Sequence, residues 1–148
     1  MFRLLSFVLL LAFCLPLAQA QSSKGDKILG LWLSETKEGK IQVYRVGNKY
    51  YGKLVWSKSM YGPDGKTLNK DTKNSDKNLR NRNLKDLVLL KDLTYNGEEY
   101  SGGTIYDPKN GSTYKCYMVL KGNDVLNIRG YIGISLIGRT SVWTRIKE

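Results

Sequence analysis

The sequence predicts an all-β fold, a single closed antiparallel barrel of about eight strands. Short segments in which apolar and polar residues alternate recur along the chain, and turn residues separate them at short intervals. No heptad, internal repeat or long helical periodicity accompanies them. The two ends supply the third observation, because Trp32 stands near the start and Arg145 near the finish. An indole covered by a guanidinium is a good plug for the narrow end of a barrel.

The strands are predicted in order from this alternation. The first spans residues 28–34 and ends at a charged turn, and the second spans residues 41–46. Gly47 and Asn48 form a two-residue hairpin connection to the third strand, residues 49–58. Turn signals separate five further strands, which are predicted at residues 87–90, 102–106, 113–120, 125–131 and 139–146.

The alternation stops between residues 59 and 86. This segment is rich in Lys, Asn, Asp and Gly, and one irregular helical turn is predicted in it, at residues 76–80. Long loops without regular structure are uncommon in compact domains and are often functional. A functional loop and a solvated insertion are the two alternatives. Seven basic side chains outnumber four acidic ones over residues 64–86, which favours attraction to an anionic envelope surface or plain solubility.

Residues 1–20 have the pattern of a cleaved secretory signal peptide. Arg3 provides a positive start, residues 4–15 are almost wholly apolar, and small residues precede the predicted cut after Ala20. The apolar stretch is short for a membrane span, and an uncleaved anchor is the alternative. The processed chain is therefore expected in the periplasm or outside the cell, with no transmembrane segment after cleavage.

The processed chain would comprise a short tail over residues 21–27 and one barrel domain over residues 28–148. The chain contains no histidine, which excludes Ser-His and Cys-His catalysis and histidine metal ligands. After cleavage Cys116 is the one remaining cysteine, and its alternation with apolar residues predicts a core position. We therefore expect no enzyme activity, no metal site and no cofactor. Aromatic residues suited to base stacking are absent from the basic segment, so no nucleic-acid partner is expected.

The chain resembles the bacterial family called domain of unknown function 2147. The match runs from Ile28 to Arg145 and is carried by the stretches GLW (30–32), YGKLV (51–55), LRNR (79–82), GGTIYDP (102–108), RGYIG (129–133), LIGRT (136–140) and WTR (143–145). The family is similar to lipocalins and other calycins, small barrels that often carry apolar ligands. The resemblance implies a calycin-like barrel marked by Gly30, Trp32 and Arg145, and it brings no established activity.

A ligand site is predicted on the final hairpin. Alternation allows Arg129, Tyr131 and Arg139 to share one face, where two guanidinium groups beside a phenol would hold a carboxylate or phosphate. Tyr106 and Tyr114 would form a wall for the apolar part of the same ligand. In the alternative interpretation these arginines lie on a solvated outer face.

The loop over residues 133–138 is apolar and bounded by glycines. It would gate a cavity or touch a lipid or partner surface, or else it would fold over the barrel end as core. The predicted function is a non-enzymatic carrier of a small apolar or amphipathic ligand in the bacterial cell envelope. The alternative is an envelope interaction or structural protein with a filled core, acting through its basic loop and its apolar loop tip.

Overall fold

The structure, a computed structural model, describes residues 23–147, so the predicted signal peptide at residues 1–20 lies outside the described residues. Eight antiparallel strands form a closed barrel in sequence order. The predicted fold class is therefore confirmed. The strands are β1 (Gly30–Leu33), β2 (Gly39–Val46), β3 (Lys49–Ser57), β4 (Val88–Tyr95), β5 (Tyr100–Asp107), β6 (Ser112–Lys121), β7 (Val125–Tyr131) and β8 (Gly138–Arg145).

The barrel closes through pairing of its first and last strands. Trp32 of β1 lies opposite Arg145 of β8, and Leu33 lies opposite Thr144. Closure leaves no strand edge exposed to another chain. Because each strand runs antiparallel to the next, the loops alternate between two ends. The closed end carries the loops at residues 47–48, 96–99 and 122–124, and the open end carries those at residues 34–38, 58–87, 108–111 and 132–137.

Every second side chain along the strands points into the barrel, and at the closed end these inward side chains are apolar and fill the interior. On β6, Cys116 and Met118 are buried, and on β7, Leu126 and Ile128 are buried. Cys116 lies in the core, as predicted, and burial raises the pKa of its thiol to about 12. A short 3₁₀ helix, Lys24–Ile28, lies across this end. The buried side chains nearest this end are Ile28, Trp32, Tyr50, Leu93, Tyr100, Met118 and Leu126.

The fourth strand is longer than predicted because a bulge interrupts its alternation. Against β3, Tyr50 pairs with Leu93 and Gly52 pairs with Leu90, so β4 contains one extra residue there. Asp92 lies in this bulge with a φ of 59°, and its carboxylate accepts a hydrogen bond of 2.8 Å from Tyr51 Oη. The sequence pattern therefore ends at residue 90, whereas the strand continues to Tyr95.

The long segment at residues 58–87 is a folded structure at the open end. It contains two isolated bridges and a 3₁₀ helix, Lys77–Leu79, at the position of the predicted helical turn. Met60, Leu84 and Leu87 are buried in the barrel core, which ties both ends of the segment to the strands. The segment is thus neither a free loop nor a simple solvated insertion. Among residues 23–147, no helix is both long and apolar enough to cross a membrane.

Candidate functional site

The open end of the barrel leads into a cavity of about 1220 Å³. This volume is large enough for a drug-sized or lipid-sized molecule. The cavity mouth is bordered by all four loops of the open end, including residues 58–87 and 132–137. The walls are mainly apolar and are contributed by strands all around the barrel: Ile41, Leu54, Leu89, Ile105, Ile128 and Trp143.

The opposite end is shut by Trp32 and Arg145. Trp32 is fully buried, and its Nε1 donates a hydrogen bond of 2.9 Å to the Ile28 carbonyl. The Arg145 guanidinium lies 4.3 Å from the centroid of the Trp32 ring, within cation–π distance. Gly30 has a φ of 128°, and a Cβ atom there would lie 2.9 Å from Arg145 Nη1, so the glycine leaves room for the guanidinium.

Arg145 also joins separate parts of the chain at this end. Its Nη1 and Nη2 donate to the carbonyls of Leu29 and Lys27, at 2.7 and 2.5 Å, and its Nε donates to the Asn123 carbonyl at 2.7 Å. The planar guanidinium therefore connects the N-terminal 3₁₀ segment to the β6–β7 loop while it covers the indole. A cation with this many backbone acceptors is fully satisfied, which is what a partly buried charge requires.

The structure does not bring the predicted head-group residues together. In the β7–β8 register Gly130 is opposite Arg139, whereas Arg129 is opposite Thr140. Residues directly opposite in an antiparallel pair share a face, so Arg129 and Arg139 lie on opposite faces of the sheet. The prediction that Arg129, Tyr131 and Arg139 share one face is therefore wrong. Of these three residues, only Arg139 lies on the lumen-facing side of the hairpin.

Arg129 lies on the outer surface, where it supports the β7–β8 loop. Its Nε donates 2.6 Å to the Ser135 carbonyl, its Nη2 donates 3.1 Å to the Leu136 carbonyl, and its Nη1 donates 3.0 Å to Thr140 Oγ1. Tyr131 packs beside Tyr117 on the same outer face, with ring centroids 6.3 Å apart, and reaches the cavity only at its rim. For these two residues the outer-face alternative describes the structure.

Arg139 borders the cavity mouth and is largely free to meet a ligand. Its side chain is 83% exposed, and its acidic neighbour Glu35 lies 3.8 Å away. Further basic side chains border the same mouth. These are Lys58, Lys70, Lys73 and Lys109, of which Lys109 forms an ion pair of 2.6 Å with Glu38.

The two predicted wall tyrosines have different positions. Tyr114 is opposite Ile105 and lines the cavity, and its hydroxyl accepts a hydrogen bond of 2.9 Å from Asn110 Nδ2. Tyr106 borders the cavity but pairs with Thr113 on the alternate face. Its buried ring faces the long segment, so Tyr106 links the barrel wall to residues 58–87.

A buried carboxylate explains how the long segment is held. Asp71 accepts hydrogen bonds from Tyr106 Oη and from Asn74 Nδ2, the latter at 2.8 Å, and forms an ion pair of 2.9 Å with Arg82. Burial raises the pKa of Tyr106 to about 12, and the hydrogen bond to Asp71 contributes a smaller part of this increase. Sequence reasoning missed Asp71, because nothing local distinguishes it from the other acids of this segment. Within residues 23–147, no cluster of His, Cys, Asp or Glu has a metal-binding arrangement.

Comparison with known proteins supports the fold and identifies the family. A solved structure, protein HP1028 from the human pathogen Helicobacter pylori, which belongs to the lipocalin family, matches with a TM-score of 0.70 and 25% sequence identity, over 81% of this chain and 83% of that chain. No curated protein matches the sequence. Residues 30–145 match the family model described as an uncharacterized protein conserved in bacteria (DUF2147). Because this match extends from the first strand of the barrel to the last, the chain belongs to the DUF2147 family.

Proposed function

We propose that the protein is a non-enzymatic binder or carrier of a small apolar or amphipathic ligand in the bacterial cell envelope. The observation that carries this proposal is the open cavity of about 1220 Å³ with mainly apolar walls. A lipocalin-like fold supports it, because such barrels often bind small hydrophobic ligands. The alternative function, an envelope interaction or structural protein, is based on a filled core. The cavity argues against it.

The polarity of the cavity favours an amphipathic ligand with an anionic head group. Apolar side chains such as Leu54, Ile105 and Ile128 would surround the tail. Arg139 would pair with a carboxylate or phosphate at the mouth, since a guanidinium donates to such groups in a planar, two-pronged arrangement. Tyr114 would contact the ligand between these two regions.

Native mass spectrometry of protein purified from its own cells tests the proposal directly. We expect a co-purifying small molecule, and we expect dodecanoate to raise the unfolding temperature of ligand-free protein because it binds only the folded state. Repeated recovery of bare protein, together with no thermal shift across a panel of fatty acids and phospholipids, would contradict the proposal.

Replacing Arg139 with alanine is expected to weaken dodecanoate binding about tenfold, the loss of one charge-assisted contact. Isothermal titration calorimetry would measure the dissociation constant. The matched control is Lys121→Ala, which also removes an exposed positive charge but lies at the end of β6 away from the mouth. Equal affinities in the two variants would remove Arg139 from the site.

The envelope location rests on the N-terminal sequence alone. Cleavage after Ala20 predicts a periplasmic or secreted chain that begins at Gln21. Intact-mass analysis of protein from a periplasmic extract is expected to give a mass that lacks residues 1–20. A full-length mass in the cytoplasmic or membrane fraction would contradict export as a processed protein.

A further inference from the structure

The loop at residues 132–137, between β7 and β8, exposes an unusual amount of apolar surface. Ile132, Ile134, Leu136 and Ile137 are between 59% and 84% exposed. We call these four residues the apolar tip. Of the two alternatives for this loop, folding over the barrel end as core is therefore wrong, and its side chains project from the rim of the open end.

The apolar tip has a defined conformation despite its exposure. Its backbone is closed by hydrogen bonds from Ile132 N to Ile137 O and from Ile137 N to Ile134 O, at 3.3 and 3.1 Å. From the outer face, Arg129 donates to two further carbonyls of the loop, those of Ser135 and Leu136. Fixed presentation of aliphatic side chains to solvent is unfavourable for an isolated protein and points to a partner surface.

Charge is distributed unequally between the two ends of the barrel. The loops of the open end, residues 34–38, 58–87, 108–111 and 132–137, contain ten basic and six acidic residues. At the closed end, residues 23–29, the three loops and residues 146–147 after β8 contain three basic and four acidic residues. Lys70 and Lys73, both exposed, border the same cavity mouth as Ile132 and Ile137. The apolar tip therefore lies at the positively charged end.

We propose that the open end docks on an anionic lipid bilayer, with the apolar tip inserted among the lipids. Interfacial attachment requires aliphatic side chains that reach below the head groups and basic side chains that stay level with the phosphates, and this end provides both. A protein partner fits less well, because the apolar tip is one small loop without the aromatic anchors and the large area of a stable interface. Docking in this orientation places the cavity mouth against the membrane.

Vesicle flotation tests the docking proposal without reference to the cavity. The sample is protein from a periplasmic extract whose intact mass shows loss of residues 1–20, so that the signal segment does not contribute. We expect the protein to float with vesicles that contain phosphatidylglycerol and phosphatidylcholine, and at least about tenfold less with phosphatidylcholine alone. Binding should weaken as salt is raised, because the attraction between exposed charges is screened. Absence of binding to the anionic vesicles overturns the proposal. A protein would then be the partner that covers the apolar tip.

Paired substitutions separate the apolar tip from general apolar surface. The double variant Ile134→Ser with Leu136→Ser is expected to lose at least about tenfold in vesicle partitioning, because both side chains are removed from the lipid contact. The matched control is Val46→Ser, since Val46 is 59% exposed and lies beside the closed-end hairpin. Equal losses in the two variants would overturn the proposal.

The same variants distinguish docking from ligand carriage. Native mass spectrometry of the double variant reports whether a small molecule is still held in the cavity. Retained ligand with lost flotation supports docking as a separate property of the apolar tip. Bare wild-type protein that still floats would contradict the carrier proposal and leave the docking proposal intact.

Discussion

Replacing Trp32 with alanine is expected to lower the free energy of unfolding by about 4 kcal/mol, near the largest cost of a single core substitution. The indole is fully buried, so its removal creates a cavity at the closed end of the barrel. It also leaves the Ile28 carbonyl without its donor and the Arg145 guanidinium without its aromatic partner. Urea denaturation followed by circular dichroism would measure the change.

Trp56→Ala is the matched control for this substitution. Trp56 is 36% exposed, and the Nζ of a surface cation, Lys40, lies 5.4 Å from the centroid of its ring. We expect this variant to lose less than about 1 kcal/mol, the usual range for a surface side chain. A cost for Trp32→Ala no larger than that for Trp56→Ala would contradict the assignment of Trp32 as the plug of the barrel.

Conservative replacement of Arg145 tests the other half of the same plug. Lysine keeps the positive charge but has a single amine, which does not reach the carbonyls of Lys27, Leu29 and Asn123 together. We therefore expect Arg145→Lys to lower the free energy of unfolding by most of what the Arg145 side chain contributes to it. A fully stable Arg145→Lys variant would indicate that charge alone, without the planar fork of donors, closes this end.

Fold class was predictable from the sequence because strand alternation and hairpin turns are local signals. Gly47 and Asn48 fix the β2–β3 register within two residues, and the observed hairpin follows it. The β7–β8 connection is six residues long, and a loop of that length does not determine register. A shift of one residue moves every side chain to the other face, which is why Arg129 was misplaced beside Arg139.

The site was only partly predictable because its shape depends on contacts between distant residues. Asp71 is 35 residues from Tyr106 in the chain, yet their hydrogen bond helps to fix the long segment at the cavity mouth. No periodicity marks such a pair in advance. The cavity itself depends on where side chains are small, and Gly130 leaves space in the wall, whereas the predicted ligand face of this strand was that of its neighbours Arg129 and Tyr131.

Filling that space gives the sharpest test of the cavity, and Gly130→Leu is expected to weaken dodecanoate binding at least about 100-fold. Gly130 borders the cavity and is opposite Arg139 on the neighbouring strand. A Cβ atom at this position would lie 3.4 Å from Ile105 Cγ2 and 3.7 Å from Tyr114 Cβ, which are ordinary contacts. The fold should therefore accept a side chain here, while the leucine occupies volume that the ligand tail would need. Calorimetric titration would measure the loss.

Gly130→Ala is the matched control, because its single methyl group makes the same first contacts without entering the space beyond them. We expect it to bind dodecanoate within about fourfold of the unsubstituted protein, since a single methylene is worth about 0.8 kcal/mol. Both variants should keep the β-sheet circular dichroism spectrum and a similar free energy of unfolding. If Gly130→Leu is folded and still binds dodecanoate like Gly130→Ala, the ligand does not occupy the barrel, and binding must be assigned to the outer surface instead.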